Sequence, residues 1–93
     1  MGKKARMKQE RLAEKLLQIR STLAYSQTEM LWRLGFENVI DYKRISEYER
    51  GKNEPPLAVL LRYARVAGVC VDVLIDDEID LPAKLPAKPK HRA

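Results

Sequence analysis

The chain has 93 residues, of which 45% are hydrophobic, so it is long enough for one small domain with a modest core. This length argues against a deep catalytic cleft, and the single cysteine excludes an intrachain disulfide; no apolar run approaches the roughly 18 residues of a membrane-spanning helix. The net charge of +5 permits binding to a polyanion, and it is concentrated near the two ends. The basic residues there are Lys3, Lys4, Arg6, Lys8, Arg11, Lys84, Lys88, Lys90 and Arg92.

Residues 1–8 are predicted to be a basic, disordered arm, because four of the eight are lysine or arginine and none is acidic. From about Gln9 the pattern changes, and leucine and isoleucine recur at helical spacing. This spacing predicts a first helix with one apolar face. The residues of that face are Leu12, Leu16, Ile19 and Leu23.

Two short segments that follow each end in a glycine. The first is predicted to be a helix over Gln27–Leu34, because Ser26 and Glu29 have the spacing of a capping box, which satisfies free N–H groups of a first turn. Gly35 and Gly51 supply the left-handed backbone conformation that ends a helix. Two short helices joined by a polar connection indicate a helix-turn-helix, the unit that places its second helix in the major groove of DNA.

The second helix of this unit is predicted over Tyr42–Arg50, with Asp41 as its N-cap. Ile45 and Tyr48 would face the core, and the opposite face would be polar. The preceding helix, Gln27–Leu34, is expected to bury its apolar residues Met30, Leu31 and Leu34.

An enlarged turn, residues 36–41, separates the two helices. We favour a loop here; the alternative is an added helical turn capped by Asn38. Phe36, Val39 and Ile40 are expected to tuck inward as a small hydrophobic lid. Trp32 is expected to pack on this loop, with a nucleic-acid backbone or a partner chain as the alternatives.

The rest of the chain predicts two more helices and a tail. Pro55 and Pro56 precede a fourth helix over Leu57–Ala67, and a short fifth helix covers Val71–Ile75. The residues expected to face inward are Leu57, Leu60, Leu61 and Ala64. Cys70 is expected to be a small, partly buried residue at the cap of the fifth helix. Residues 77–93 are predicted to be a solvated acidic patch followed by a Leu-Pro-Ala-Lys repeat, a composition that does not build a core, which places the domain at residues 9–76.

The helix-turn-helix segment and its sequel resemble the Cro and phage-repressor type of helix-turn-helix domain, also called the XRE family. The resemblance runs from about Leu17 to Ile75 and implies an all-α, five-helix, lambda-repressor-like bundle. The chain departs from the family in its longer turn and in Leu31, where the family usually has a small residue. The matching residues are Ser26, Gln27, Glu29, Met30, Leu34, Gly35, Ile45, Ser46, Tyr48, Glu49, Arg50, Gly51, Lys52, Pro55, Leu57, Leu60, Leu61, Ala64, Gly68 and Val69.

The resemblance also implies a DNA-binding surface. Candidates for base contact are the residues at the front of the third helix, and each of them is otherwise a solvated helix residue: Tyr42, Lys43, Arg44 and Glu47. Candidates for phosphate contact lie at the start of the second helix, on it, and just past the third: Ser26, Gln27, Arg33, Lys52 and Asn53. In the family an arginine at the position of Arg20 pairs with a glutamate at the position of Glu49; the alternative is two exposed charges.

These observations predict a sequence-specific, double-stranded DNA-binding transcriptional regulator of the repressor type, acting as a homodimer on a two-fold operator. The alternative is an antitoxin-like protein-interaction module whose helix-turn-helix is autoregulatory and whose C-terminal tail binds a protein partner. The basic ends would add phosphate contacts or simply keep the protein soluble. The fifth helix, Val59 and Val66 are expected to form the dimer contact. No enzyme activity, cofactor, metal site or membrane attachment is expected, and the location would be cytoplasmic, at the nucleoid.

Overall fold

The computed structural model describes residues 9–86, and all regular structure in that range is helical. The helices are α1 (Leu12–Leu23), α2 (Gln27–Leu34), α3 (Tyr42–Glu49), α4 (Leu57–Ala67) and α5 (Val71–Ile75). The predicted all-α fold with five helices is confirmed. The basic arm at residues 1–8 and the end of the tail, with Lys88, Lys90, His91 and Arg92, lie outside the described residues. None of the helices described is long and apolar enough to cross a membrane.

Helix α2 begins and ends where local signals predict. The Ser26 hydroxyl oxygen accepts the backbone N–H of Glu29 at 3.0 Å, and Gly35 adopts the left-handed conformation at φ +83°. A Cβ atom on Gly35 would also lie 2.6 Å from Nη1 of Arg62, which donates to the carbonyl oxygen of Leu34 at 2.7 Å. The backbone conformation therefore favours glycine here, and a Cβ atom would also require the end of the Arg62 side chain to move.

The core lies where the apolar faces of the helices meet, but α4 presents a different face to it than the sequence predicts. Leu57 and Leu61 are 83% and 43% exposed, whereas Val59 and Tyr63 are buried. A helix on the surface of a small domain buries one face. In α4 the buried face is the one that carries Tyr63 and Ala67. The prediction that Leu57 and Leu61 face inward is wrong. Since Val59 is buried, the prediction that it forms a dimer contact is wrong as well.

Part of the segment that follows α5 packs against the bundle. Leu81 and Leu85, the two leucines of the repeat, are buried in the core, so the expectation that this composition contributes nothing to a core is wrong for them. Lys15 on α1 is also buried, and its Nζ donates to the carbonyl oxygens of Val73, Asp76 and Ile79 at 2.8, 2.8 and 2.6 Å. The lysine thus donates to one carbonyl oxygen of α5 and to two in the segment that follows it.

The start of α1 is held by the same segment. The carboxylate of Asp77 accepts the backbone N–H groups of Glu10 and Arg11 at 2.8 and 3.1 Å, and Arg11 pairs with Asp80 at 2.6 Å. A carboxylate at a helix N-terminus is favourable because it meets free N–H groups and the positive end of the helix dipole. The acidic patch is therefore partly engaged with α1 rather than only solvated. Cys70, expected to be partly buried, is exposed.

This capping gives folding stability a predicted dependence on pH. The hydrogen bonds from Glu10 and Arg11 hold the pKa of Asp77 below its ordinary value. A carboxylate whose pKa is lower in the folded state contributes stability that is complete above its unfolded pKa, about 3.9, and is lost as pH falls through the folded value. We expect Asp77→Ala to lower the free energy of unfolding at neutral pH, and the difference to vanish in strong acid. Urea unfolding across this pH range measures it, and Glu78→Ala in the same turn serves as the control; a difference independent of pH would contradict the assignment.

Candidate nucleic-acid interface

The leading turn of α3 is presented to solvent while the rest of the helix is anchored. The Asp41 carboxylate accepts the backbone N–H of Lys43 at 3.0 Å, which confirms Asp41 as the N-cap. Ile45 and Tyr48 are buried and fix the orientation of the helix. Three of the residues predicted to contact bases are exposed at its front: Tyr42, Lys43 and Arg44. This is the geometry that a groove-reading helix requires.

Glu47, the fourth residue predicted to contact bases, lies at the centre of a polar network. Its Oε1 accepts from Arg44 Nη1 at 3.2 Å and from Asn53 Nδ2 at 2.7 Å. The network joins a predicted base contact to a predicted phosphate contact beyond the end of α3. The Glu47 carboxylate is therefore placed to orient the side chain of Arg44. The N4 amino group of a cytosine base would have to compete with Arg44 and Asn53 for this acceptor.

The start of α2 offers a second set of donors. The first N–H groups of a helix have no partner within it, and together with the helix dipole they favour an anion. The hydroxyl oxygen of Ser26 is engaged in capping, and the side-chain amide of Gln27 donates to Glu49 at 3.4 Å. A phosphate here would thus meet backbone N–H groups first, with the two side chains flanking them.

Arg33 and Trp32 lie side by side on α2. The Arg33 guanidinium stacks over the rings of Tyr25 and Trp32, with its central carbon 5.1 and 5.8 Å from the two centroids, and it lies 4.0 Å from Glu29. Trp32 is 61% exposed, so the prediction that it packs into the loop is wrong. Arg33 is partly exposed, and its charge remains accessible to a phosphate.

The enlarged turn is a compact loop held at both ends. The backbone N–H groups of Val39 and Ile40 donate to the Phe36 carbonyl oxygen at 2.9 and 3.1 Å, and Phe36 and Ile40 pack against the core. Val39 is 70% exposed, so it is not part of the predicted lid. Arg62, which the sequence does not single out, stacks over the Phe36 ring at 5.3 Å and fixes the loop.

An ion pair joins α1 to the end of α3. Arg20 Nε and Nη2 donate to the two carboxylate oxygens of Glu49 at 2.6 and 3.1 Å, and Arg20 Nη1 donates to the carbonyl oxygen of Tyr25 at 2.9 Å. Both side chains are largely buried. The structure thus brings together the two residues that the resemblance pairs, and the alternative of two exposed charges does not apply.

A buried tyrosine hydroxyl lies beside this ion pair, and the sequence gives no signal for it. Tyr63 on α4 is fully buried, and among the described residues its hydroxyl has no hydrogen-bond partner. Burial raises the pKa of this hydroxyl well above its ordinary value, and the negative charge of Glu49 raises it further. The hydroxyl is therefore neutral, and no change in its charge perturbs the ion pair.

Two further predicted phosphate contacts lie just past α3. Gly51 turns the chain with φ at +74°, and the exposed residues Lys52 and Asn53 follow it. The backbone N–H of Lys52 donates to the carbonyl oxygen of Glu47 at 2.9 Å, which holds the turn against the helix. The start of α2 and this turn place donors on two elements that border α3.

Comparison with known proteins identifies the fold. No protein-family model and no curated protein matches the chain. Among solved structures, it is similar to the P22 c2 repressor protein, crystallised in complex with synthetic operator 9T in the presence of Tl+, with a TM-score of 0.62. The two are 23% identical, and the match covers 71% of this chain and 94% of the repressor chain. The chain therefore shares the all-α helix-turn-helix fold of that protein.

Proposed function

We propose that the protein is a sequence-specific, double-stranded DNA-binding transcriptional regulator of the repressor type that acts as a homodimer on a two-fold operator. The observation that carries the proposal is the exposed leading turn of α3, with Tyr42, Lys43 and Arg44 outward and the helix anchored behind them. The likeness in fold to a repressor solved with its operator supports the same assignment.

The side chains at the front of α3 have the chemistry of base recognition. Lys43 or Arg44 would donate to O6 and N7 of guanine, the commonest specific contact in the major groove. Glu47 accepts from Arg44 and Asn53, so we assign it chiefly to positioning Arg44. Tyr42 would contact a thymine methyl group or a phosphate.

Phosphate contacts would fix the protein on the duplex. The start of α2, with Ser26 and Gln27, supplies backbone donors, and Arg33, Lys52 and Asn53 supply side chains. One short helix reads few base pairs, and a homodimer would double the site and its specificity. The antitoxin-like alternative receives less support, because the described part of the C-terminal tail packs its two leucines into the domain itself.

Two lysine substitutions test the proposal. Binding selection from a random duplex library is expected to yield a two-fold motif. Lys43→Ala is expected to relax the base preference at one position of each half-site, at a cost of about 1–3 kcal/mol per contact. Lys52→Ala is expected to weaken binding to all sequences alike and to make the slope of log K against log salt less steep by about 0.9.

Lys84→Ala is the control, since this exposed lysine lies in the segment after α5 and on no predicted base-reading element. It is expected to leave the selected motif unchanged. If the library yields no enriched sequence, or if Lys43→Ala and Arg44→Ala both leave the motif intact, the assignment of α3 as the reading helix is wrong.

A further inference from the structure

Asn53 is joined to the front of α3 through a single carboxylate oxygen. Oε1 of Glu47 accepts from Asn53 Nδ2 at 2.7 Å and from Arg44 Nη1 at 3.2 Å. The two donors belong to different elements, since Arg44 lies in the first turn of α3 and Asn53 lies in the turn that follows the helix. A change at Asn53 can therefore reach Arg44 through Glu47.

The backbone around Asn53 is held in place on both sides. The N–H groups of Gly51 and Lys52 donate to carbonyl oxygens of the last turn of α3, at 3.2 and 2.9 Å, and Pro55 is buried. An asparagine side chain is short and loses less conformational freedom on bonding than an arginine or a glutamate does. Asn53 is therefore the fixed end of the network, and Arg44 is its movable end.

The pair of Arg44 and Glu47 would not hold the arginine by itself. The two side chains are 48% and 34% exposed, and exposed ion pairs contribute little because water and salt screen them and two long side chains must be ordered. The short bond from Asn53 orders Glu47 in advance, so that Arg44 has to lose only its own freedom when it pairs. Arg44 still has donors for a base, because its guanidinium carries more N–H groups than this bond uses.

We propose that Asn53 determines base preference indirectly: by fixing Glu47, it holds Arg44 in the orientation that donates to guanine. The inference rests on the proposed function, and it makes Asn53 and Glu47 positioning residues for a base contact made by Arg44. These roles differ from the predicted ones, in which Asn53 contacts a phosphate and Glu47 contacts a base. A carboxylate near DNA phosphates repels them, so Glu47 in this role lowers the affinity for every sequence while it raises the preference for one base.

An alanine substitution at Asn53 tests the proposal. The affinity is measured for a duplex with the selected motif and for duplexes with each other base at the pair that Arg44→Ala shows to be read by Arg44. Asn53→Ala is expected to reduce the preference for guanine at that same pair by about threefold or more. Lys52→Ala is the matched control, because Lys52 is the exposed neighbour on the same turn, and it is expected to weaken binding to all the duplexes alike. If Asn53→Ala also weakens binding to all of them alike, Asn53 is a phosphate contact only and the proposal is overturned.

Variants of Glu47 separate positioning from direct base contact. Glu47→Ala is expected to lower the preference for guanine at the pair read by Arg44 and to raise the affinity for unrelated DNA several-fold, because a negative charge is removed. Glu47→Gln keeps an acceptor oxygen and is expected to retain more of the preference than Glu47→Ala does.

The same substitutions in an Arg44→Ala background complete the test. Neither Asn53→Ala nor Glu47→Ala is expected to change base preference further there, because residues of one network are not additive. A further change in that background, or a change at a base pair that Arg44 does not read, would mean that Asn53 or Glu47 contacts a base itself, and the proposal would be wrong.

Nuclear magnetic resonance of the free protein gives a readout that does not depend on DNA. The Nε–H group of Arg44 is expected to be ordered in the unmodified chain and in Lys52→Ala, and to become mobile in Asn53→Ala. Equal mobility in all three would overturn the proposal. If the unmodified chain selects no DNA sequence, the regulator assignment falls together with this role of Asn53. If it selects a motif whose base preference Asn53→Ala leaves intact, the regulator assignment stands and the role of Asn53 alone falls.

Discussion

Replacing Glu49 with alanine is expected to lower the free energy of unfolding by about 3–5 kcal/mol. The substitution would strand the guanidinium of Arg20, which is largely buried and donates to both carboxylate oxygens. It would also remove the acceptor of the Gln27 amide. A small domain has a total stability of about 5–15 kcal/mol, so the variant would be close to unfolding at ordinary temperature. Urea unfolding followed by circular dichroism measures the change.

The double variant Arg20→Met/Glu49→Leu separates the penalty of an unpaired charge from the worth of the pair. We expect it to be more stable than Glu49→Ala, because it removes both charges and leaves apolar side chains in their place. Glu37→Ala, in the exposed part of the loop, is the control and should change the free energy of unfolding by no more than about 0.5 kcal/mol. A Glu49→Ala variant as stable as this control would show that the pair is solvated.

The Arg20–Glu49 ion pair also matters to the candidate interface, because it connects the start of α2 to the end of α3. Arg20 bonds the carbonyl oxygen of Tyr25 just before α2, and Glu49 lies at the end of α3. The relative positions of the predicted phosphate-binding and base-reading elements thus depend on one buried contact. The family resemblance pairs these residues; spacing alone would not, since they lie 29 positions apart.

Local signals predicted most helix boundaries. Ser26 and Asp41 cap α2 and α3, and Gly35 and Gly68 close α2 and α4 in the left-handed conformation. Each of these signals acts within about one helical turn, so neighbouring residues in the sequence suffice to read it. The bounds of α2, α4 and α5 agree with the prediction, although no side chain caps the start of α4 or of α5.

The face that a helix buries depends on distant residues and was harder to predict. In α4 the pattern of leucines fits two helical phases, and the structure takes the one that buries Tyr63 and exposes Leu57 and Leu61. Similarly, Leu81 and Leu85 lie in a repeat whose composition resembles a linker, yet they are buried in the core. Contacts between residues distant in the sequence decide which of these side chains are buried, and composition and periodicity do not predict such contacts.

The sequence predicted which helices form the candidate site, but not all the contacts of their side chains. Tyr42, Lys43 and Arg44 lie exposed at the front of α3, as the helical phase indicates, while their contacts with DNA remain predictions. The role of Glu47 was not predictable, because it depends on Asn53 in the next loop. The exposure of Val39 was also missed, since an apolar residue in a loop gives no periodic signal.

Replacing Lys15 with methionine is expected to lower the free energy of unfolding by about 2–4 kcal/mol. Methionine has a similar shape and length, so it preserves packing while removing the three donors that Nζ gives to Val73, Asp76 and Ile79. Each hydrogen bond to a charged group is worth about 1.5–3 kcal/mol, and the burial of an apolar side chain returns part of that loss. The hydrogen bonds outweigh the return because three acceptors are affected at once.

Lys84→Met is the matched control, since it changes the same side chain at an exposed site in the segment that Lys15 holds. It should change the free energy of unfolding by no more than about 0.5 kcal/mol. Hydrogen exchange gives a second readout: in Lys15→Met the backbone around Asp76 and Ile79 should lose protection more than α2 does, because the lost bonds are local to it. Equal stability of the two variants would mean that water replaces the Lys15 ammonium group at no cost. The segment that follows α5 would then be held by Leu81, Leu85 and the Asp77 cap alone.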